Sequence, residues 1–363
     1  MNEVIYLDNA ATTPLCSAAK KAIVKHLDDF GNPSSSYELG RQARVLIEDA
    51  RERIAKCINA EPEEIYFTSG GSEANSWALN EFGAIATELE HHSITAARYV
   101  PVSSTGIVNV KAYSNMNYWI GDAVSCMYVN NELGTIQPIK ELVEISHDKK
   151  KWFHTDSVQA VGHIPIDVKD LNCDLLSASA HKFGGPKGVG FLYIKHNGPE
   201  LDSLIYGGKQ EQGIRGGTEN VLGIVAMAAA LEDAVEHMEE RNKYIGLLRN
   251  NLLDKLLQIP GSHLNGSLKN RVPSNINIRF DGVSGEKLVT LCNLYGICIS
   301  SGSACNEGVS EPSHVLKAIG LTDEEALSSI RITIGHENTE EEINYAADII
   351  TKLVERIRSD EED

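Results

Sequence analysis

The sequence predicts an α/β fold in which a large domain, built on a mainly parallel sheet covered by helices, carries a smaller α+β domain. Three observations lead there. Strand-like runs alternate with helical periodicity through the first two thirds of the chain. A long alanine- and leucine-rich helical stretch at about 222–257 then bridges to a region where the order of elements changes. The length of 363 residues is long for a single core and suits one large domain with a second attached.

Leu39, Ala43, Leu46, Ile47, Ala50, Ile54 and Ile58 recur at helical spacing, and EIYFTSGG after them reads as a short strand running into a glycine turn. An apolar run, AVSCMYV, precedes the amphipathic segment IKELVEISHDKK, and WFHTD, CDLLSASA and GVGFLYI each read as strands. Strands separated by helical patterns argue a parallel sheet buried on both faces. Beyond about 250 come SNINIRF, a helix around GEKLVTLCNLYG, then ICISSGSAC and SSIRITIG. The last helix opens with a capping box, Thr339 and Glu342, and lines up Ile343, Ala346, Ala347, Ile350 and Leu353 on one face. These patterns place the large domain at 15–249 and the small one at 1–14 together with 250–363.

A net charge of −18 argues against nucleic acid or an anionic membrane as an electrostatic partner. There is no basic-then-apolar leader and no uninterrupted apolar window of spanning length, so a cytoplasmic protein is expected. The 7 cysteines are odd in number and lack CxxC spacing, which supports neither a disulfide framework nor a structural zinc site. No metal is expected. Cys292, Cys298 and Cys305 lack the short loops and fourth ligand of a cluster site.

Ligands of open parallel sheets sit at the carboxyl ends of strands. Here those ends are polar: SGGSEAN, NNELG, HTDSVQ and SASAHK follow successive strands. Singly, each has an ordinary explanation: Ser72 as a helix cap, Asn131 as a turn former, Asp156 as another cap, His181 as a packed imidazole, Lys182 as a surface lysine before a hairpin. Together they match what pyridoxal phosphate needs, namely a lysine for the Schiff base, a carboxylate for the pyridinium nitrogen, and a helix amino terminus with glycine and hydroxyl donors for the phosphate. A nucleotide site fits less well, since GGPKGVG lacks the Walker Lys-Ser/Thr pair and no GxGxxG occurs.

The chain resembles the cysteine desulfurases linked to iron-sulfur assembly, class-V members of the fold-type I pyridoxal phosphate enzymes. The resemblance rests on YLDNAATTP, FGNPSS, FTSGGSEAN, EHHS, VNNELG, HTDSVQAVG, SAHKFGGPKG, RGGTEN, SSGSAC, EPSHVL and SSIRITIG, in family order along nearly the whole chain. It implies Lys182 as the Schiff-base lysine, Asp156 as partner of the ring nitrogen, Gln159 near the ring's phenolic oxygen, and His91 stacked on the ring. Matching Glu90 to the motif favours His91 over His92 for that role. Asn131 is implied close to cofactor and substrate, with Gly71, Ser72, Ser179 and His181 on the phosphate, joined by Thr218 of a second subunit in a homodimer. Arg331 is implied for the substrate carboxylate, where its planar fork takes both oxygens. Cys305 matches the cysteine that receives sulfur. The family pattern is broken at Lys209 and Gln212, where a glycine and an arginine are usual, and the stretch between SGGSEAN and VNNELG is shortened.

The resemblance further implies conversion of L-cysteine to L-alanine, with sulfur left on Cys305 as a persulfide for an acceptor such as an iron-sulfur scaffold or a tRNA-thiolation protein. The Lys182 amine would take the α-proton, and because a free thiol titrates near 8.5, something must remove the proton of Cys305; His91 is the candidate. Glu307, close in sequence, acts against that ionisation. The alternatives are a selenocysteine lyase, an aminotransferase of the same fold, and a scaffold that kept the fold without catalysis; retention of both Lys182 and Cys305 argues against the last.

Overall fold

The structure, a computed structural model, describes residues 4–117, 119–301, 304–306 and 309–362, with residues 304–306, 309–310 and 361–362 described in backbone only. The chain opens with the strand Ile5–Tyr6 (β1) and the helices Ser17–Lys25 (α1) and Glu38–Cys57 (α2). Strands and helices then alternate: Ile65–Thr68 (β2), Gly71–Leu79 (α3), Ile85–Thr87 (β3), Arg98–Val100 (β4), Val110–Ser114 (α4), Ala123–Ser125 (β5), Ile139–Asp148 (α5), Trp152–Asp156 (β6), Val168–Leu171 (α6), Leu175–Ser179 (β7) and Gly190–Ile194 (β8).

Strands β2 to β8 build one seven-stranded sheet in the order β2-β8-β7-β6-β5-β3-β4. Only β8 runs against its neighbours, pairing antiparallel with both β7 and β2. The alternation of side chains along a strand supplies two buried faces. Phe67, Val124, Phe153, Leu176, Phe191 and Tyr193 pack into a core with Ile47 and Ile54 of α2. Ala86, Ala123, Leu175, Leu192 and Ile194 point the other way, against Ala74, Trp77 and Ala78 of α3. Each fully buried Leu, Ile or Phe contributes about 1.5–3 kcal/mol relative to an exposed one.

The predicted long helix is two. Val221–Glu236 (α7) and Met238–Leu256 (α8) meet at His237, whose backbone (φ −101°, ψ 8°) leaves the helix. Arg241 in the next turn grips Asp233 at 2.9 Å, and the His237 ring bonds the Asp233 carbonyl at 2.9 Å, so the corner is held by side chains.

Beyond α8 lie Ser262–Leu264 (β9), Asn275–Phe280 (β10), Gly285–Leu294 (α9), Ile297–Cys298 (β11), Ser300–Ser301 (β12), Ala304–Asn306 (β13), Val309–Glu311 (β14), His314–Ala318 (α10), Asp323–Leu327 (α11), Ser329–Thr333 (β15) and Glu340–Glu362 (α12). Strands β12-β15-β10-β9 form an antiparallel sheet, β1 joins β11 in parallel, and β13 pairs with β14. Ile276, Ile278, Phe280, Ile330 and Ile332 face Ile343, Ala347 and Ile350 of α12 in a separate core. The period of two then puts Asn275, Asn277, Arg331 and Thr333 on the opposite face, and cross-strand pairing sets Asn277 beside Arg331 and Asn275 beside Thr333. The capping box forms: Thr339 N–H donates to Glu342 (2.9 Å), and Glu342 N–H to Thr339 Oγ1 (3.2 Å).

Candidate active site

The carboxyl ends of β2, β6 and β7 meet at one edge of the large sheet. Asp156 closes β6 and is buried; its Oδ2 accepts from Asn75 Nδ2 at 2.6 Å and its Oδ1 from the Val158 N–H at 3.0 Å. Helix α3 supplies Asn75 because it starts tightly against this turn. Gly70 sits at φ 151°, and a Cβ at Gly71 would come within 2.5 Å of Val158 Cγ2, so only glycine admits the approach. Ser179, at the end of β7, lies under the same helix start, its Oγ 3.5 Å from where a Gly70 Cβ would stand. Gly70 offers no side-chain cap, which leaves the first-turn N–H groups of α3 without one, and Ser72 is exposed among them.

Burial pushes the Asp156 carboxyl above the usual carboxylate range; its hydrogen bonds to Val158 and Asn75 and the neighbouring His91 and Lys182 pull it back. Lys182 ends the single helical turn Ala180–Lys182 after β7, and its Nζ donates to the Ala10 and Ala11 carbonyls at 2.6 and 2.8 Å. Desolvation first, and then the charge of Arg331, bring this amine down to about 8 against the pull of Asp156 and Asp8. The antiparallel pairing of β7 with β8 makes 180–189 a strand connection, as a lysine before a hairpin requires, but Lys182 is half-buried within it rather than a surface lysine.

The amino-terminal segment crosses this edge. Gln159 Nε2 donates to the Ala10 carbonyl (2.9 Å), the His181 ring meets Thr12 Oγ1 (3.1 Å), and Thr13 N–H reaches the His181 carbonyl (2.9 Å). Burial, with Lys182 and Lys187 nearby, lowers His181 to about 4, so it is neutral at physiological pH. Arg331 arrives from the polar face of the small sheet, its Nη2 on Asp8 (2.8 Å) and its Nη1 on the Asn131 carbonyl (3.0 Å). A cleft of about 290 Å³ opens beside Lys182, with Asn9, Asn131, Gln159 and Asn275 on its walls.

His91 is solvent-accessible in the turn after β3, where the Ser93 N–H donates to its Nδ1 at 3.1 Å and Ser93 Oγ lies 2.7 Å from the same nitrogen. A backbone N–H can only donate, so Nδ1 accepts and the neutral ring carries its proton on Nε2. The protein around it lowers its pKa by desolvation, opposed by Asp156 and helped by His92, Lys182 and His314. Glu90 is buried beneath, its Oε1 accepting from Thr87 Oγ1 (2.5 Å) and the Met127 N–H (2.9 Å), and burial raises it to about 7.

The site thus brings together Asp156, Lys182, His91, Gln159, Ser179, His181, Asn131 and Arg331, with Gly71 and Ser72 at the helix start. Thr218 lies elsewhere on its own chain, exposed on a separate cavity of about 150 Å³ with Ser69 and Val189. The Cys305 side chain and Glu307 lie outside the described residues; the Cys305 backbone belongs to β13, opposite Ser310. Lys209 is exposed, and Gln212 donates to the Glu63 carbonyl at 3.0 Å. Sequence reasoning passed over Asn75, Ser93, Asp8 and Ala10, although all four stand inside the motifs SGGSEAN, EHHS and YLDNAATTP. The spacing of Gly71 and Asn75, one helical turn, was the signal for Asn75.

The donor set fits pyridoxal phosphate. A buried carboxylate held by neutral donors is suited to a ring-nitrogen cation, a desolvated amine lies nearby, and an uncapped helix start is suited to a phosphate. Asn75 Oδ1, Thr155 Oγ1 and Ser157 Oγ, within or flanking this cluster, are buried without partners. Among the described residues there is no group of acidic, His or Cys side chains placed to hold a metal, and no helix long and apolar enough to cross a membrane.

A profile of the class-V aminotransferases matches residues 5–345. A cysteine desulfurase IscS of Methanosarcina thermophila is 42% identical over 379 aligned positions, covering 99% of this chain and 94% of that one. Among solved structures, a NifS-like protein superposes with a TM-score of 0.90 at 35% identity, covering 97% of this chain and 100% of the other. A second, SspA in complex with cysteine, superposes at 0.79 with 31% identity, covering 92% and 100%.

Proposed function

The chain belongs to the class-V aminotransferase family, and within it to the cysteine desulfurases, and from that premise we propose that it converts L-cysteine to L-alanine while Cys305 takes the sulfur as a persulfide. The observation that carries this reading is the placing of a desolvated lysine, Lys182, beside a buried aspartate, Asp156, which Asn75 and a backbone N–H hold in place.

Asp156 would hold the ring nitrogen of pyridoxal phosphate, the amino terminus of α3 with Ser179 and His181 its phosphate, and Gln159 its phenolic oxygen. Bound there, the cofactor supplies a carbonyl carbon that condenses with amines and a ring that takes up the electron pair left when the α-proton departs. Everything else falls to the chain. Lys182, brought to about 8, has enough neutral amine near pH 7–8 to accept that α-proton. Arg331 and Asn131 bind the substrate carboxylate. The Cys305 thiolate attacks the substrate sulfur, so that an S–S bond forms as the carbon–sulfur bond breaks. The carbon gains a proton, Cys305 loses one, and the sum needs no oxidant. With Nδ1 accepting, Nε2 carries the ring hydrogen, so His91 would face that exchange as a donor and not as the base for Cys305.

Thr218 is exposed on its own chain, which suits a homodimer in which it completes the phosphate site of the second copy. The persulfide is then passed to an acceptor protein. Incubation with L-cysteine followed by mass spectrometry tests the reading: alanine released, and one added sulfur on the peptide containing Cys305. Cofactor-loaded protein that yields neither overturns it.

A further inference from the structure

Asn75 Nδ2 donates to two acceptors, Asp156 Oδ2 at 2.6 Å and Ser93 Oγ at 2.9 Å, and Ser93 in turn reaches His91 Nδ1 at 2.7 Å. Four side chains from three separate segments therefore form one hydrogen-bond chain, Asp156–Asn75–Ser93–His91. We propose that Asn75 and Ser93 are positioning residues that tie the carboxylate of Asp156 to the His91 ring and fix that ring as its Nε2–H tautomer. The inference rests on the reading in which Asp156 holds the ring nitrogen and the neutral His91 ring stacks on the cofactor with its Nε2–H turned to the substrate.

The geometry leaves little freedom in assigning the protons. Both hydrogens of the Asn75 amide nitrogen are directed to acceptors, so Ser93 Oγ receives one of them and is left with its own hydrogen to give. His91 Nδ1 already accepts from the Ser93 N–H, and the hydroxyl hydrogen is the second donor aimed at it. Two donors on Nδ1 oppose protonation there. They favour the neutral ring, leave Nε2 as its outward group, and fix the plane of the imidazole. The titratable groups facing His91 are Asp156 at the end of β6, Lys182 after β7, His92 on its own turn and His314 of α10. Of these, Asp156 alone opposes the lowering of the His91 pKa, and it is the one to which the chain of hydrogen bonds leads. Asn75 is almost wholly buried and its Oδ1 has no partner, so the amide is kept for what its nitrogen does.

Ser93→Ala removes one donor from Nδ1 while leaving the backbone in place. In the cofactor-loaded enzyme, the acid limb of kcat for alanine release should move to higher pH by about half a unit to one unit, because the neutral ring loses support. KM for cysteine should stay the same, and Ser93→Thr, which keeps the hydroxyl, should restore the limb. Asn75→Ala should move the limb in the same direction and also change the pH titration of the bound cofactor's visible absorbance, which Ser93→Ala leaves alone. A limb lost in His91→Asn yet unmoved in both Ser93→Ala and Asn75→Ala overturns the relay alone. A limb that persists in His91→Asn overturns the role given to His91, and this inference with it.

Discussion

Arg331 on β15 donates to Asp8, 323 positions earlier in the chain, at 2.8 Å, and the pair joins the small sheet to the amino-terminal segment that crosses the cofactor edge. The guanidinium is only partly engaged: Nη1 holds the Asn131 carbonyl and Nε is buried without a partner. A fork held on two sides with a donor to spare suits the proposed contact with the substrate carboxylate. Arg331→Lys keeps the charge and loses the planar fork. We expect KM for cysteine to rise at least about tenfold, the cost of one bidentate charged contact, with the cofactor's visible band unchanged. Steady-state kinetics beside the absorbance spectrum check both halves.

Lys182 gives a pH prediction whose sign follows from the direction of its shift. Its amine is brought down from the ordinary lysine range to about 8, so the neutral nucleophile is available at lower pH than for a free lysine. Loading of cofactor-free protein with pyridoxal phosphate should speed up roughly tenfold per pH unit below that value and level off above it. An exposed lysine would keep climbing toward about 10.4. Stopped-flow absorbance between pH 6.5 and 10 distinguishes these outcomes, and Lys182→Ala should give no borohydride-reducible adduct at any pH.

The polar ends of strands were legible because they are local: each motif sits where a strand must stop, and the buried runs of β7 and β8 are short, apolar and bounded by turn residues. Strands β3 and β4 were not legible, since three residues carry too little of a period of two to stand out. The break at His237 was hidden because it is made by the Asp233–Arg241 contact rather than by a glycine or proline. Leu39, counted on the buried face of α2, is exposed, and Arg51 is buried on that helix instead. Besides the local Glu48, its buried partner lies 160 positions away, a distance at which no periodicity in one chain reports a contact.

That partner is Glu211, buried, with both oxygens 2.9 Å from Arg51 and one of them accepting the Phe67 N–H at 2.8 Å. The guanidinium also lies 4.5 Å from the Phe67 ring centroid. Glu211 and Gln212 both take positive φ, 45° and 57°, a strained turn that the ion pair holds in place. Glu211→Gln leaves the buried guanidinium with the half-exposed Glu48 carboxylate and should cost about 3 kcal/mol of stability, the low end for a broken buried pair. Urea denaturation checks this, and activity per folded molecule at low temperature should be retained.

Glu90 makes stability depend on pH in the direction opposite to a salt-bridged carboxylate. Burial raises its folded pKa to about 7, above the unfolded value, so its contribution is fully present below about 4.3 and is lost as pH rises through 7. The loss amounts to about 3 kcal/mol across that window. Glu90→Gln keeps an acceptor for Thr87 and the Met127 N–H and cannot ionise. Denaturation midpoints of the variant should therefore fall less than those of the parent between pH 5 and 7.5.

The last prediction separates activation of the substrate from acceptance of its sulfur. Lys182, Asp156 and Arg331 are all intact in Cys305→Ser, so cysteine should still bind and perturb the cofactor's absorbance. A hydroxyl is a far weaker nucleophile toward sulfur than a thiolate, so alanine release and persulfide should fall by at least about a hundredfold. The two neighbouring cysteines differ in what surrounds them. Cys292 is buried on α9 and desolvation pushes its thiol up to about 12, which leaves it inert at neutral pH. Cys298 is half-buried in β11, where it pairs with Tyr6 of β1. Cys292→Ser and Cys298→Ser should keep alanine release within about threefold and lose only stability, about 1–3 kcal/mol for the buried hydroxyl at 292. Alanine and persulfide measured side by side for the three variants decide the matter: wild-type release from Cys305→Ser together with its loss in Cys298→Ser would move the sulfur acceptor to β11.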